Sequence, residues 1–256
     1  MRVARLWRHP VKSMRGEEVS ALDVRTTGVR GDRVYAFFDT RTGARISAKN
    51  HGALLGCAAR LLAEPDDGRR AAPPLEVTFP DGTVITDDPA ELTRRVSDLL
   101  GLDVELRAGA PGAFVDAAPL HLMAADTLQA LRSAHPGGDW DPRRTRPNIL
   151  IDRAQAGSDG EQPDADGDWL SRDLHIGAAA VAHVVIPTPR CVMTTLAQGD
   201  LPADREVLRT LNRVRRRRLG GRDRPCAGVY ADVVRPGRVE VGDTVTITDR
   251  PVTDRR

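Results

Sequence analysis

The stretch Val181-Ala-His-Val-Val-Ile-Pro-Thr-Pro-Arg-Cys-Val-Met-Thr-Thr195 joins an apolar segment to a polar one. Residues 181–186 are rich in β-branched and apolar side chains, which predicts a strand buried in a sheet. A proline and an arginine come directly before Cys191. This order predicts a strand that delivers Cys191 to the end of a sheet, where a fixed loop presents its thiol.

Short apolar segments separated by turn residues continue in both directions from this stretch. Pro80-Asp-Gly82, for example, separates two alternating segments and predicts a hairpin. Strands are also predicted for residues 2–7, 19–24, 34–38, 75–79, 83–86, 120–123, 148–152, 174–176, 228–234 and 239–247. The sequence therefore predicts a β-rich α+β fold of two packed β-barrels or sandwiches. A Gly/Pro-rich boundary near residues 109–112 divides it into domains of residues 1–110 and 111–256.

Three helices are predicted to cover the strands. The first has Asp88 as its N-cap, Pro89 at its first position and Gly101 at its end. The others are predicted for residues 126–134 and for about 204–218. Arg213 and Arg215 to Arg218 fall at the end of the last helix, where cations are favoured, so we expect a solvated, positively charged helix end.

Composition argues against several classes of protein. The chain has 38 basic and 36 acidic residues, and its net charge of +2 does not favour nucleic acid as a partner. The 40% apolar content is too high for a disordered chain, and no apolar run approaches the ~18 residues of a membrane span. Without a signal-peptide segment, we expect a cytoplasmic protein. Three distant cysteines argue against a disulfide framework, a structural zinc site and an iron–sulfur cluster.

Four local patterns carry possible chemistry. The Cys191 thiolate is suited to act as a nucleophile or a soft-metal ligand, and the alternative is a small buried side chain. Lys12 and Ser13 lie in a loop whose donors suit a phosphate, and the alternative is a plain surface loop, which would contain the same residues. Arg146 and Asn148 flank a proline before a strand, and Asn148 could equally cap that strand. Asp32-Arg33 precedes another strand, a position typical of a surface ion pair.

Together these patterns resemble the MOSC superfamily in its two-part form, an N-terminal β-barrel domain followed by the MOSC domain. The resemblance spans nearly the whole chain, and its motifs occur in the family's order: Pro10-Val-Lys-Ser13, Gly28 through Arg33, Ser47-Ala-Lys49, Arg146-Pro-Asn148, Arg190-Cys-Val-Met-Thr-Thr195, Leu208-Arg-Thr-Leu211, Gly228-Val-Tyr230, Pro236-Gly237 and Val241-Gly-Asp243.

The resemblance implies a site for the molybdenum cofactor, as in the mitochondrial amidoxime-reducing component and its bacterial relatives. It implies that Cys191 ligates molybdenum and that the pterin and its phosphate are bound by the residues Lys12, Ser13, Arg33, Arg146, Asn148, Thr188 and Arg190. The implied function is an oxidoreductase that reduces N-hydroxylated or related N-oxygenated small molecules. A carrier of the cofactor or of sulfur, without turnover, is the alternative.

Departures from the family pattern concern the substrate and the electron source. Ala124-Ala125 stands where relatives usually have hydroxyl residues, and Leu196-Ala-Gln-Gly199 replaces a commoner valine-aspartate-proline run. These differences weaken any transfer of substrate identity. The chain also lacks the four cysteines of an iron–sulfur cluster, so we expect electrons from a separate donor protein, a ferredoxin or a reductase.

Overall fold

The computed structural model describes residues 1–65, 73–153 and 165–249. Within these ranges the chain forms 17 strands and three α-helices. The strands are β1 (Arg2–Arg8), β2 (Glu17–Val19), β3 (Ala21–Arg25), β4 (Gly28–Val29), β5 (Tyr35–Asp39), β6 (Ala58–Leu61), β7 (Leu75–Thr78), β8 (Val84–Thr86), β9 (Val104–Ala108), β10 (Leu120–Ala124), β11 (Ile149–Asp152), β12 (Arg172–Ile176), β13 (Ala180–Pro189), β14 (Arg216–Leu219), β15 (Arg222–Arg235), β16 (Gly237–Glu240) and β17 (Val245–Asp249). The helices are α1 (Pro89–Leu100), α2 (Ala125–Ala134) and α3 (Arg205–Val214).

The largest sheet surrounds the main apolar core. Its strand order is β17-β12-β13-β15-β10-β11-β1-β2, and β14 pairs with β15 beside this path. β10 and β11 run parallel, whereas the other pairs are antiparallel. The alternate inward side chains of these strands are aliphatic, and Trp169 is packed among them without exposure.

A second core lies under the smaller sheets of the N-terminal half. β5 pairs with β9, and β6, β7 and β8 form a three-stranded sheet. Helix α1 covers this core with Leu92 and Val96. Met193 and Leu196, which follow Cys191 in sequence, pack against the same core. The segment after Cys191 therefore lies between the two halves of the fold.

The first strands of the chain join the large core. β1 pairs with β11, and β3 pairs with β16 near the C-terminus. Val3, Leu6 and Leu22 are buried in the same cluster as Val229 and Val245. The domain boundary near residues 109–112 stays a prediction. Residues 2–29 contribute side chains to the core that later strands mainly form.

The β-rich α+β fold class is confirmed, and the cap of α1 is as predicted. The Asp88 carboxylate accepts a hydrogen bond from the Glu91 amide, and Gly101 ends the helix at a φ of 64°. The predicted strand of residues 239–247 is divided into β16 and β17, because the chain turns at Gly242 with a φ of 93°. Among the described residues, no helix is long and apolar enough to cross a membrane.

The predicted helix of residues 204–218 is wrong at its C-terminal end. α3 ends at Val214, and residues 216–219 instead form β14. The Arg215 side chain is buried and lies 3.2 Å from the carboxylate of Asp166. Asp166 also accepts hydrogen bonds from the Ala124 and Gly228 amides. This buried ion pair, distant in sequence, holds Arg215 inside the fold, so the arginine run is not a solvated helix end.

Candidate functional site

Cys191 lies just past the end of β13, where the sequence predicted it. The Arg190 amide donates to the Pro225 carbonyl at 2.8 Å, which ties this end of β13 to β15. The Cys191 carbonyl accepts from the Thr194 amide at 3.1 Å and from the Thr194 hydroxyl at 2.9 Å. Cys191 thus begins a short 3₁₀ helix, Val192–Thr195. Its side chain is partly exposed, whereas Cys57 and Cys226 are buried.

Two arginines hold the backbone around Cys191. Arg190 donates through Nη2 to the Thr145 carbonyl at 2.7 Å. Arg144, a fully buried side chain, donates to the Pro202 carbonyl at 2.7 Å and to the carbonyls of Thr194 and Leu196. Sequence reasoning missed Arg144, although it lies two residues before Arg146. Its contacts fix the loop that follows Cys191.

Arg146 and Asn148 are both buried, but their contacts differ in kind. Arg146 has a φ of 54° and donates through Nη1 to the Met14 carbonyl at 2.5 Å, which joins it to the Lys12 loop. Asn148 accepts from the His121 amide at 3.1 Å and donates to the Trp7 carbonyl at 3.4 Å. These bonds join Asn148 to β10 and β1, the two strands on either side of β11. Contact of Asn148 with a cofactor stays a prediction.

The loop after β1 brings Ser13 and Lys12 to the same region. Ser13 is buried with a φ of 71°, and its hydroxyl accepts a hydrogen bond from the Ala48 amide at 3.1 Å. That bond uses an oxygen lone pair and leaves the hydroxyl proton for a ligand. It also connects the loop of Lys12 and Ser13 with Ser47-Ala-Lys49, a motif of the family pattern to which no role was assigned.

Lys12 and Arg33 share one carboxylate. Lys12 Nζ lies 2.5 Å from one oxygen of Asp116, and Arg33 Nε lies 3.9 Å from the other. Arg33 is also paired with Asp32, which accepts from the His9 amide at 2.6 Å. The expectation of a surface pair is wrong here, because Asp32 and Arg33 are buried. Sequence reasoning missed Asp116, which lies 104 residues from Lys12.

The side chains around Lys12, Arg33, Arg146 and Arg190 carry more positive than negative charge. Burial, with the charges of Arg33 and Arg190, lowers the pKa of Arg146 to about 10. Burial lowers the pKa of Lys12 to about 8, although Asp116 opposes the shift. In the described part of the chain, the carboxylates within ion-pair distance of Lys12, Arg33, Arg146 or Arg190 are Asp32 and Asp116. Four buried or partly buried cations are therefore matched by two carboxylates, of which Asp116 is about half exposed.

Several buried polar atoms in the same region have no hydrogen-bond partner within the described ranges. They are both ring nitrogens of His9, Nε2 of His121, Oγ1 of Thr188 and Nε of Arg190. Burial and neighbouring arginines lower the pKa of His9 well below its usual value and that of His121 to about 3, so both rings are neutral. A polar ligand would satisfy such atoms. No pattern in the sequence selects these two histidines.

Glycines pack closely against the rings of both histidines. A Cβ on Gly16 would lie 2.4 Å from His9 Nδ1, and one on Gly228 would lie 2.3 Å from His121 Nε2. Gly228 has a φ of 77°, which also disfavours any other residue. Any side chain at these two positions would collide with the histidine rings, so the packing of both rings requires glycine there.

A separate cavity of about 660 Å³ lies beside the segment that follows Cys191. Leu196, Ala197 and Asp200 line one side of it, and Gly52, Phe79 and Pro80 of the N-terminal half line the other. Most of its lining residues are apolar or small, and Arg15 and Asp200 add charged groups to the wall. Leu196, Ala197 and Gly199, which belong to one departure from the resembled family, therefore line a cavity of ligand size, whereas Ala124 and Ala125 do not line it.

The donor set fits an anionic, metal-bearing cofactor. Buried cations and unpartnered donors suit a phosphate and a polar ring system, and a thiolate suits a soft metal. Among residues 1–65, 73–153 and 165–249, no three His, Cys, Asp or Glu side chains form a group that could hold a metal ion. A metal bound at Cys191 would therefore need ligands supplied by its own cofactor.

Comparison with known protein families gives two matches. The family model of the MOSC N-terminal beta barrel domain matches residues 1–96, and that of the MOSC domain matches residues 110–246. A search of curated proteins finds no match.

Among solved structures, the chain is similar to the YUAD protein from Bacillus subtilis, with 12% identity, a TM-score of 0.48 and coverage of 97% of this chain and 96% of that one. It is also similar to YiiM from Geobacillus stearothermophilus, with 15% identity, a TM-score of 0.34 and coverage of 53% and 56%.

Proposed function

Because the chain belongs to the MOSC family, with an N-terminal beta barrel domain before the MOSC domain, we propose that it is a molybdenum-cofactor-dependent reductase. The family is associated with molybdenum-cofactor binding and with sulfurase-like proteins. The proposed substrates are N-hydroxylated or related N-oxygenated small molecules. The observation that supports the cofactor most directly is the excess of cations around a partly exposed cysteine. Arg33 and Arg146 are buried, and Lys12 and Arg190 are partly buried.

The residues divide into two binding roles. Lys12, Arg33 and Arg146 supply positive charge for the phosphate, and the Ser13 hydroxyl and the His9 ring supply hydrogen bonds. Thr188 and Arg190 each have a buried polar atom to offer the ring system, and the Cys191 thiolate is the metal ligand. The bound cofactor supplies the two-electron redox chemistry.

The chain's own residues position this ligand set and keep it fixed. Arg144 and Arg190 hold the backbone on both sides of Cys191 through carbonyl groups, so the thiol has a defined direction. Because the cations are buried or partly buried, their attraction for a phosphate is less screened by water than it would be at the surface. The neutral rings of His9 and His121 add hydrogen bonding without adding to the repulsion among the arginines.

The reaction consumes electrons that the chain does not supply. Reduction of an N-hydroxylated compound to the amine and water takes two electrons and two protons and breaks the N–O bond. The electrons come from a separate donor protein. The substrate is proposed to bind in the cavity lined by Leu196, Asp200 and Phe79, beside the segment that follows Cys191.

A carrier of the cofactor or of sulfur is the second candidate. Partial exposure of Cys191, with Cys57 and Cys226 buried, would let the thiol receive and hand over a group without turnover. Both candidates use the same cysteine, and they differ in whether substrate is consumed.

An assay with reduced viologen separates the two. Protein from a host that makes the cofactor would be supplied with reduced methyl viologen and benzamidoxime, and oxidation of the viologen would be followed. We expect turnover by the wild type, loss of turnover in Cys191→Ala, and little change in Cys226→Ala, which alters a buried thiol opposite Pro189 in the sheet. If wild-type protein contains molybdenum but consumes neither amidoximes nor related N-oxides, the reductase proposal is wrong and the carrier proposal takes its place.

A further inference from the structure

The arginine run that the sequence placed at a helix end forms a charged hairpin. β14 pairs with the beginning of β15 around Gly220 and Gly221, and residues 216–225 are here named the arginine hairpin. It contains one acidic residue, Asp223, and five cations, namely Arg216, Arg217, Arg218, Arg222 and Arg224. All of these except the partly buried Arg217 are exposed. This segment therefore has a net charge of +4 in a chain whose total is +2.

The register places like charges side by side. Arg217 lies directly opposite Arg224, and Leu219 lies opposite Arg222. Because strand residues alternate between faces, these four side chains share one face, and no carboxylate of residues 216–225 lies on it. Asp223 is on the other face, 3.8 Å from Arg216 and 4.0 Å from Arg218. Arg222 and Arg224 are exposed on this face, so it presents positive charge to solvent and suits a negative surface.

The hairpin emerges next to Cys191. Its last residue, Pro225, accepts a hydrogen bond from the Arg190 amide, and the next residue, Cys226, is opposite Pro189. Cys191 therefore directly follows the residue that is hydrogen-bonded to the end of the hairpin. A protein held by the hairpin would lie close to the proposed metal site.

We propose that the arginine hairpin docks an acidic electron-transfer protein of the ferredoxin type. The inference rests on the proposed function, because it concerns the source of the two electrons. Two reduced ferredoxins would each supply one electron and leave oxidised. Charge complementarity favours such an acidic protein surface. The hairpin has no aromatic side chain on which a nucleic-acid base could stack.

The test compares two electron sources in the cofactor-loaded protein. The variant Arg222→Glu/Arg224→Glu reverses two exposed charges of the hairpin. The control Arg41→Glu/Arg238→Glu makes the same change in charge at exposed arginines elsewhere. Benzamidoxime reduction would be measured with reduced methyl viologen and with a reduced acidic [2Fe–2S] ferredoxin, and binding of that ferredoxin would be measured by calorimetry.

We expect the hairpin variant to lose about tenfold or more in ferredoxin affinity and ferredoxin-driven rate, with an unchanged viologen-driven rate. The control should keep both rates. Salt should weaken ferredoxin binding by the wild type more than by the hairpin variant. Equal ferredoxin binding by the two variants would overturn the docking site, as would a single-stranded oligonucleotide that binds the hairpin more tightly than ferredoxin does. Wild-type protein inactive with viologen would instead refute the proposed function, and the binding data would still decide the docking site.

Discussion

The Nζ atom of Lys12 lies 2.5 Å from a carboxylate oxygen of Asp116, a residue 104 positions further along the chain. The lysine proposed to bind a cofactor phosphate is therefore already paired within the protein. Asp116 also lies near Arg33, and its side chain is about half exposed. Because a carboxylate and a phosphate oxygen make the same kind of contact with a cation, Asp116 competes with the phosphate for these two side chains.

Asp116→Asn should strengthen anion binding. The amide keeps the size of the side chain but removes the charge that pairs with Lys12 and Arg33. We expect a phosphate monoester such as glycerol phosphate to bind cofactor-free protein about three- to tenfold more tightly, by calorimetry. Asp23→Asn, which alters a carboxylate paired with Arg25 and Arg30, serves as the control and should leave binding unchanged. Weaker binding in Asp116→Asn would show that Asp116 supports the site.

Anion binding should weaken as the pH rises through about 8. Burial lowers the pKa of Lys12 to about this value, with Asp116 opposing the shift. Lys12 is charged below this pH and neutral above it in the free protein, so affinity falls on the alkaline side. A phosphate monoester remains a dianion from about pH 7 to 9, since its second pKa is about 6. Calorimetry should show the loss in the wild type and a nearly flat profile in Lys12→Met; parallel profiles would exclude Lys12 from the phosphate site.

Arg144→Met should destabilise the protein strongly. The substitution leaves the carbonyls of Pro202, Thr194 and Leu196 without their buried donor. We expect the free energy of unfolding to fall by about 2–4 kcal/mol in a denaturant titration. The adjacent Arg143 is a matched control, since it pairs with Asp141 and Asp200 near the surface. Arg143→Met should lower the free energy of unfolding by less than about 1 kcal/mol. Equal losses in the two variants would contradict the role of Arg144 in holding the loop that follows Cys191.

Arg224→Glu should raise the stability of the protein slightly. It converts the like-charge pair of Arg217 and Arg224 into an opposite-charge pair across the two strands. We expect the free energy of unfolding to rise by about 0.2–1 kcal/mol at low salt, with the gain reduced in high salt. A loss of stability in the same titration would show that the two guanidinium groups do not repel one another.

Local patterns predicted those parts of the fold that depend on neighbouring residues. Asp88, Pro89 and Gly101 define the ends of α1 because capping uses groups within a few residues of each other. The position of Cys191 after a buried strand was predictable for a similar reason, since an apolar strand followed by a Pro-Arg-Cys segment marks a strand exit.

The remaining features depend on partners that are distant in sequence. Nothing near Arg215 shows that Asp166 neutralises it inside the fold, so the arginine run suggested a solvated helix end. Asp116, His9 and Arg144 were missed in the site for the same reason. Their importance comes from burial and from contacts across the fold, and single-sequence patterns do not report either of these.

The molybdenum content of protein purified from a cofactor-competent host tests the central claim most directly. The wild type should contain molybdenum in near-stoichiometric amount together with the pterin, and Cys191→Ala should lose most of the metal while Cys226→Ala keeps it. A wild type with almost no molybdenum, although a known molybdenum enzyme from the same host is loaded, would contradict the cofactor assignment. Equal molybdenum in wild type and Cys191→Ala would remove Cys191 as the ligand.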